Sequence, residues 1–181
     1  PMNILIAYFS HGGENLVDGQ IINLNGNGNT KRAAETLNQE LAYKGVRAAL
    51  HEIQPLVPYP TAYSECNARC RAEHDQDIAP AINDGPTHFD AYDVIFLGYP
   101  NWYGTIPGPV VSFLRSHNFE GKTIIPFVTH GGQRFLYSLS AIQAEAPKAN
   151  VIEGFAISAS YMDAAPRVVT KWIGEHESLI K

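Results

Sequence analysis

Short unbroken apolar runs alternate along the chain with longer stretches in which apolar residues recur every three or four positions. Asn3 to Phe9 (NILIAYF) is the first run. It is too short for a helix and a Gly-rich segment follows it, so it predicts a strand buried on both faces. Thr30 to Tyr43 then places Ala33, Ala34, Leu37 and Leu41 on one helical stripe, with Gly45 where that helix stops. Val46 to Ile53 predicts a second strand. Pro55, Pro58 and Pro60 make residues 54–60 a connection. Ala62 to Ala72 predicts a helix, with a further helical piece reaching about Ile82. Tyr92 to Gly98 (YDVIFLG) is the clearest strand, and Pro109 to His117 a helix with Pro in its first turn. Thr123 to Thr129 (TIIPFVT) predicts a strand in which Pro126, lacking an N–H, forces a bulge or local irregularity. Ser138 to Glu145 predicts a helix, Val151 to Ile157 the last strand, and Ala165 to Leu179 the last helix.

Strands and helices thus alternate five times. That order implies right-handed crossovers and an open parallel sheet with helices on both faces. No internal repeat or linker divides the 181 residues, which suit a single domain over 1–181. With 45% hydrophobic and 17% charged residues, the chain is not of disordered composition. The net charge of −5 is scattered, and no basic stripe of a nucleic-acid binder is visible. No apolar run approaches the roughly 20 residues that cross a bilayer. Pro1 ahead of Met2 reads as a remnant of expression, and a cytoplasmic location is expected. Cys66 and Cys70, four apart, share one helix face. No third Cys or nearby His pair completes a metal site, so both read as plain reduced thiols.

In an open parallel sheet, ligands bind beyond the carboxyl ends of the strands, where the strand order reverses. Three segments leave those ends. After the first strand comes Ser10-His11-Gly12-Gly13-Glu14-Asn15, and the first helix is preceded by Gly26-Asn27-Gly28-Asn29-Thr30. Glycines let successive N–H groups point into one concavity, and a helix N-terminus adds its positive dipole end. With the hydroxyls of Ser10 and Thr30, this suits a phosphate monoester. The alternative is a Gly/Asn-rich loop with Thr30 as an ordinary cap. Neither a Lys-Ser/Thr ending nor a GxGxxG pattern is present, which disfavours ATP and dinucleotides. Between the two pieces, Leu16 to Asn25 is an excursion of undefined shape.

After the third strand comes Tyr99-Pro100-Asn101-Trp102-Tyr103-Gly104-Thr105. Two adjacent aromatics at a ligand edge can wall a flat heterocycle, with Asn101 and Gly104 offering polar contacts to its rim; alternatively they only cover the sheet end. After the fourth strand comes Thr129-His130-Gly131-Gly132-Gln133-Arg134. Its Gly pair frees backbone donors. His130 could donate a proton, but a loop histidine bonded to backbone is the simpler reading, as it is for His11. Glu14 and Glu65 read as surface carboxylates. No catalytic residue and no metal ligand is assigned.

Together, YFSHGGEN with GNTKRAAE, DVIFLGYPNWYGTIP and GKTIIPFVTHGGQR resemble the flavodoxin family, in the form whose first loop is lengthened. The resemblance runs from Asn3 to the last helix. It implies a flavodoxin-like α/β three-layer sandwich with a five-stranded parallel sheet in the order 2-1-3-4-5, and noncovalent FMN. The phosphate would lie on Ser10, Gly12, Gly13 and Asn15 with Asn29 and Thr30. The isoalloxazine would lie between Pro100, Asn101, Trp102, Tyr103 and Gly104 on one side and Thr129, His130, Gly131 and Gly132 on the other. The phosphate loop departs from the family pattern: it is split, and Gly12 stands where a hydroxyl residue is common.

Three functions fit. The first is electron transfer through the flavin with a redox partner protein or small electron acceptor. The second is NAD(P)H-dependent two-electron reduction of quinones or similar small acceptors. The third is a non-redox binding module on the same fold. A carrier needs negative charge near the ring, whereas the third ligand segment offers His130 and Arg134 and no carboxylate; yet no Lys/Arg cluster marks a nicotinamide-phosphate site. The resemblance places electron transfer first.

Overall fold

The computed structural model describes residues 2–181, so the reading of Pro1 falls outside the described residues. Strand β1 (Ile4–Tyr8) is wholly buried. A hairpin of β2 (Glu14–Val17) and β3 (Gln20–Asn23) follows, then helix α1 (Asn29–Tyr43) and strand β4 (Ala48–Glu52). Helix α2 (Tyr63–Asp75), strand β5 (Val94–Pro100), helix α3 (Gly108–Ser116) and strand β6 (Thr123–His130) come next. Helix α4 (Ser138–Glu145), strands β7 (Asn150–Val151) and β8 (Ala156–Ser158), and helix α5 (Ala165–Glu175) complete the chain.

The main sheet has the order β4-β1-β5-β6-β7, with β8 also on β6, and every pairing in it is parallel. Leaving out the hairpin, this is the expected order 2-1-3-4-5. The apolar runs are continuous because each strand feeds two cores. Leu5, Ala7, Ile95, Leu97, Ile124 and Val128 pack toward α2, α3 and α4, and Ile4, Ile6, Val94, Phe96, Ile125 and Phe127 toward α1 and α5. Alternation with period two supplies both faces from one run. On α1, Leu37 and Leu41 are fully buried. At about 1.5–3 kcal/mol each, they seat the helix against the sheet and outweigh the weak helix propensity of Asn29 and Thr30 at its start.

Three details differ from the sequence reading. The helical piece expected up to Ile82 does not form; Ile82 instead makes a bridge with Pro55, tying the Pro-rich connection down. The last strand is divided in two. Pro126 keeps its place opposite Leu97 of β5, and its missing N–H points to the other side. There its carbonyl accepts from Gly154 at 3.0 Å, in the gap between β7 and β8, so the irregularity falls on the neighbouring strand. Third, the excursion after β1 is the β2–β3 hairpin. Its turn, Asp18-Gly19, has φ of 51° and 75°, the double positive φ of a type I′ turn.

Candidate functional site

Strands β1 and β5 are neighbours, and their connections leave to opposite faces, so the sheet order reverses between their carboxyl ends. A cleft of about 340 Å³ opens there, a size in the usual range for small-molecule sites. One side is built from the β1 exit and the start of α1. Ser10 Oγ accepts from the Lys31 N–H at 3.1 Å, so a side chain from the strand end caps the helix. Gly28 is required for that approach: a Cβ there would stand 2.2 Å from Ser10 Oγ. With Lys31 capped and the Arg32 N–H bonded to the Gly28 carbonyl, the N–H groups of Asn29 and Thr30 have no partner among the described residues. Both residues line the cleft. The Thr30 hydroxyl is 2.8 Å from that of Thr129 at the end of β6. Such a pair shares one proton and leaves the second hydroxyl proton free.

The opposite side holds aromatic rings. Trp102 meets Phe9 and Tyr59 edge to face, each at 5.2 Å between centroids, which fixes the indole in the cleft wall. Tyr103 donates to Asn67 Oδ1 at 2.6 Å and stacks on His74, so it ties the β5 loop to α2. Pro100 and Asn101 line the cleft, but the Asn101 amide is committed: Nδ2 donates to the Arg134 carbonyl and Oδ1 accepts from the Gly104 N–H. The expected polar contacts from Asn101 and Gly104 are therefore made within the protein. Along the floor, His130 Nδ1 accepts from the Gly132 N–H at 2.9 Å, leaving the proton on Nε2. Burial and then the Arg134 charge hold its pKa below the usual histidine value, so the ring is neutral at pH 7.

Of the residues proposed from sequence, Ser10, Asn15, Asn29, Thr30, Pro100, Asn101, Trp102, Tyr103, Thr129, His130 and Gly131 are brought together around the cleft. Gly12, Gly13, Gly104 and Gly132 do not line it. Gly12 and Gly13 pack on backbone instead, where a Cβ would stand 2.8 Å from Gly26 Cα and 2.7 Å from the Thr61 carbonyl. Asn15 turns its Nδ2 to the carbonyls of His11 and Gly13, which shapes the loop.

Sequence reasoning missed one wall entirely. Tyr63, Cys66, Asn67 and Cys70 of α2 line the cleft. Glu14, read as a surface carboxylate, accepts from the Tyr63 N–H at 2.7 Å and holds that helix in place. His11, read as structural, donates from Nε2 to the Pro60 carbonyl at 2.9 Å, as expected of that reading, but it also lines the cleft. The Asp-Gly dipeptide between apolar pairs was a signal for the hairpin; no signal in the sequence pointed α2 at the site.

A family model described as flavodoxin matches residues 3–176. The chain belongs to the flavodoxin family. Among solved structures, it is similar to a candidate flavoprotein from Bacteroides eggerthii at 27% identity and TM-score 0.74, covering 97% of this chain and 98% of that one. A flavoprotein from Lactobacillus acidophilus solved in complex with FMN shares the fold at 22% identity and TM-score 0.67, over 95% and 99% of the two chains. An NADH:FMN oxidoreductase in its apo form shares it at 15% identity and TM-score 0.57, over 99% and 91%. No curated protein matches the chain. Among its described residues, no helix is long and apolar enough to cross a membrane.

Proposed function

We propose that this member of the flavodoxin family holds FMN noncovalently in the cleft and passes electrons through it to a redox partner protein or small acceptor. The observation that carries the reading is the unpaired pair of N–H groups, on Asn29 and Thr30, at a helix N-terminus in the cleft wall. Donors left free there, beside a positive dipole end, suit a dianionic phosphate. Ser10 serves that site by capping Lys31, and the Thr30–Thr129 pair has one hydroxyl proton to offer. Trp102 and Tyr103 would border the ring, and the neutral His130 would stand beside it with its Nε2–H. When bound, the flavin supplies one- and two-electron redox chemistry. The protein excludes water, holds the phosphate and sets the charge around the ring.

The test is titration of flavin-free protein with FMN and with riboflavin, followed by quenching of flavin fluorescence. FMN should bind at micromolar concentration or tighter and riboflavin far more weakly. Absence of quenching with the fold intact by circular dichroism would refute the assignment.

A second reading, two-electron reduction of a small acceptor at the expense of NAD(P)H, draws on the charge of the lining. Glu14 is its one carboxylate and is already bonded to Tyr63, whereas His11 and His130 are its nitrogen bases. With Glu14 engaged by Tyr63, the lining has no free carboxylate to disfavour the anionic reduced cofactor as a low-potential carrier requires. Anaerobic titration with dithionite and with NAD(P)H separates the two: a carrier takes up electrons in two resolved steps from dithionite and none at a useful rate from NAD(P)H.

A further inference from the structure

Helix α2 turns both of its cysteines into the cleft wall. Cys66 and Cys70 are 5% and 7% exposed, and no other residue of the helix is buried. Both line the cleft, with their sulfurs 3.9 Å apart. Spacing of four puts them one turn apart on the same face. Three elements supply their surroundings. His11, from the β1–β2 loop, lines the same cleft. Arg69 of α2 lies 3.9 Å over the Tyr59 ring and pairs with Glu73. Glu14 of the hairpin is occupied with the Tyr63 N–H.

A buried cysteine in apolar surroundings is inert; one beside a second thiol, a histidine and a guanidinium is not. The contact with Cys70 pulls the Cys66 thiol below its ordinary range; burial opposes this, and His11 and Arg69 reinforce it. The same contact, with burial and the nearby Glu73, pushes Cys70 up. Burial by itself would lower His11, but the neighbouring Cys66 and the bond to the Pro60 carbonyl raise it above the usual histidine value. Of the two sulfurs, Cys66 is therefore the more readily deprotonated.

We propose that Cys66 and Cys70 form a thiol–disulfide exchange site in the cleft, with Cys66 as attacking sulfur, Cys70 as resolving sulfur, and low-molecular-weight disulfides as substrate. The Cys66 thiolate attacks one sulfur of the small disulfide, the substrate S–S bond breaks, and the first thiolate leaves and takes a proton from solvent. Cys70 then attacks the Cys66 sulfur of the mixed disulfide, giving up its proton to the second leaving thiolate. The protein dithiol is oxidised by two electrons, and one small disulfide is reduced to two thiols. Burial in a cleft wall admits a small molecule and shuts out a protein disulfide. Joining the sulfurs requires closing 3.9 Å to about 2.05 Å, with Cβ atoms that start farther apart than a relaxed bridge allows. Cys66 and Cys70 are the only buried residues of α2, so no other core side chain of the helix has to move with them. The resulting bond is strained and so readily reduced again, as an exchange site requires.

The two thiols share the cleft proposed for FMN, so the test uses flavin-free protein. The reduced chain, freed of reductant, is treated with oxidised glutathione and followed by intact mass and peptide mapping. The parent should lose two hydrogens without keeping an adduct. Cys70→Ser should retain one glutathione, on Cys66, and Cys66→Ser should react at least about tenfold more slowly. A stable adduct on the parent, untouched thiols, or equal reaction of the two variants would overturn it. The parent also provides a check free of any folding defect: iodoacetamide at pH 6 should label Cys66 at least about tenfold faster than Cys70, and equal labelling refutes the assignment.

Discussion

Replacing Thr30 and Thr129 by Val, singly and together, separates what their hydroxyls do for the fold from what they do for the cofactor. The two residues are 2% and 4% exposed, and their hydroxyl oxygens lie 2.8 Å apart. Valine keeps the branched shape, and its helix propensity is close to that of threonine, so the perturbation is the hydroxyl alone. Either single change strands the remaining hydroxyl without its protein partner, at about 1–3 kcal/mol. The lower part of that range applies here, because the survivor can still turn to the cleft. The double change removes both polar groups at once and should cost less than the sum of the singles by about 1 kcal/mol or more. Urea unfolding of the four flavin-free proteins measures this. Affinity for FMN should behave differently. If one hydroxyl proton of the pair meets the phosphate, the single variant that removes that hydroxyl and the double variant each lose a bond to a charged group worth about 1.5–3 kcal/mol, or roughly ten- to a hundredfold. Riboflavin has no phosphate and should bind all four alike. Additive losses of stability would show that the hydroxyls are not a pair. Equal losses for FMN and riboflavin would move the phosphate elsewhere.

Gly28→Ala should be severe, because its Cβ would stand 2.2 Å from Ser10 Oγ and 2.8 Å from the His11 carbonyl; loss of FMN binding with a lowered urea midpoint checks it. Replacing residues 16–21 by Asn-Gly keeps the Asn15–Ile22 pair in register as the closing pair of a type I′ turn. Secondary structure by circular dichroism should be unchanged, and FMN affinity should move by less than about tenfold, since loop length costs little. His51 predicts a pH dependence. Its Nε2 has no partner among the described residues and its ring stacks on Phe113 at 5.9 Å; burial first, then His117, lowers its pKa from 6.5, while Glu52 opposes. A histidine depressed in the folded state binds fewer protons than the unfolded chain. Stability is therefore lost as pH falls through about 6.5 toward the depressed value. His130 adds a contribution of the same sign. His51→Phe should flatten part of the drop in urea midpoint between pH 7 and 5.5; an unchanged slope would refute the assignment.

Much of the architecture was legible because a strand covered on both faces must be apolar at every position. NILIAYF and VIFLG announce themselves, and their order with the helical stripes yields the sheet order and its switch point. Pro126 likewise announced an irregularity, since a missing donor is a property of the residue. Which strand would bear it was decided by pairing: residue 126 points to the last strand, and that strand breaks. The site divides the same way. Ser10, Thr30, Thr129 and the aromatic pair sit at strand ends and a helix start, so the position of each along the chain implies its position at one edge. Gly12 and Gly13 read as backbone freedom, whereas packing makes them points of tight contact with residues 26 and 61. The spacing of Cys66 and Cys70 placed them on one face of a helix, and nothing local could say where that face looks. Its direction comes from Glu14 holding the first turn of α2 and from Arg69, which donates to the Val57 and Pro58 carbonyls. Periodicity is written into a segment by its own burial. The orientation of one segment toward another is set by contacts between residues far apart in the chain, which exist only once the sheet has formed.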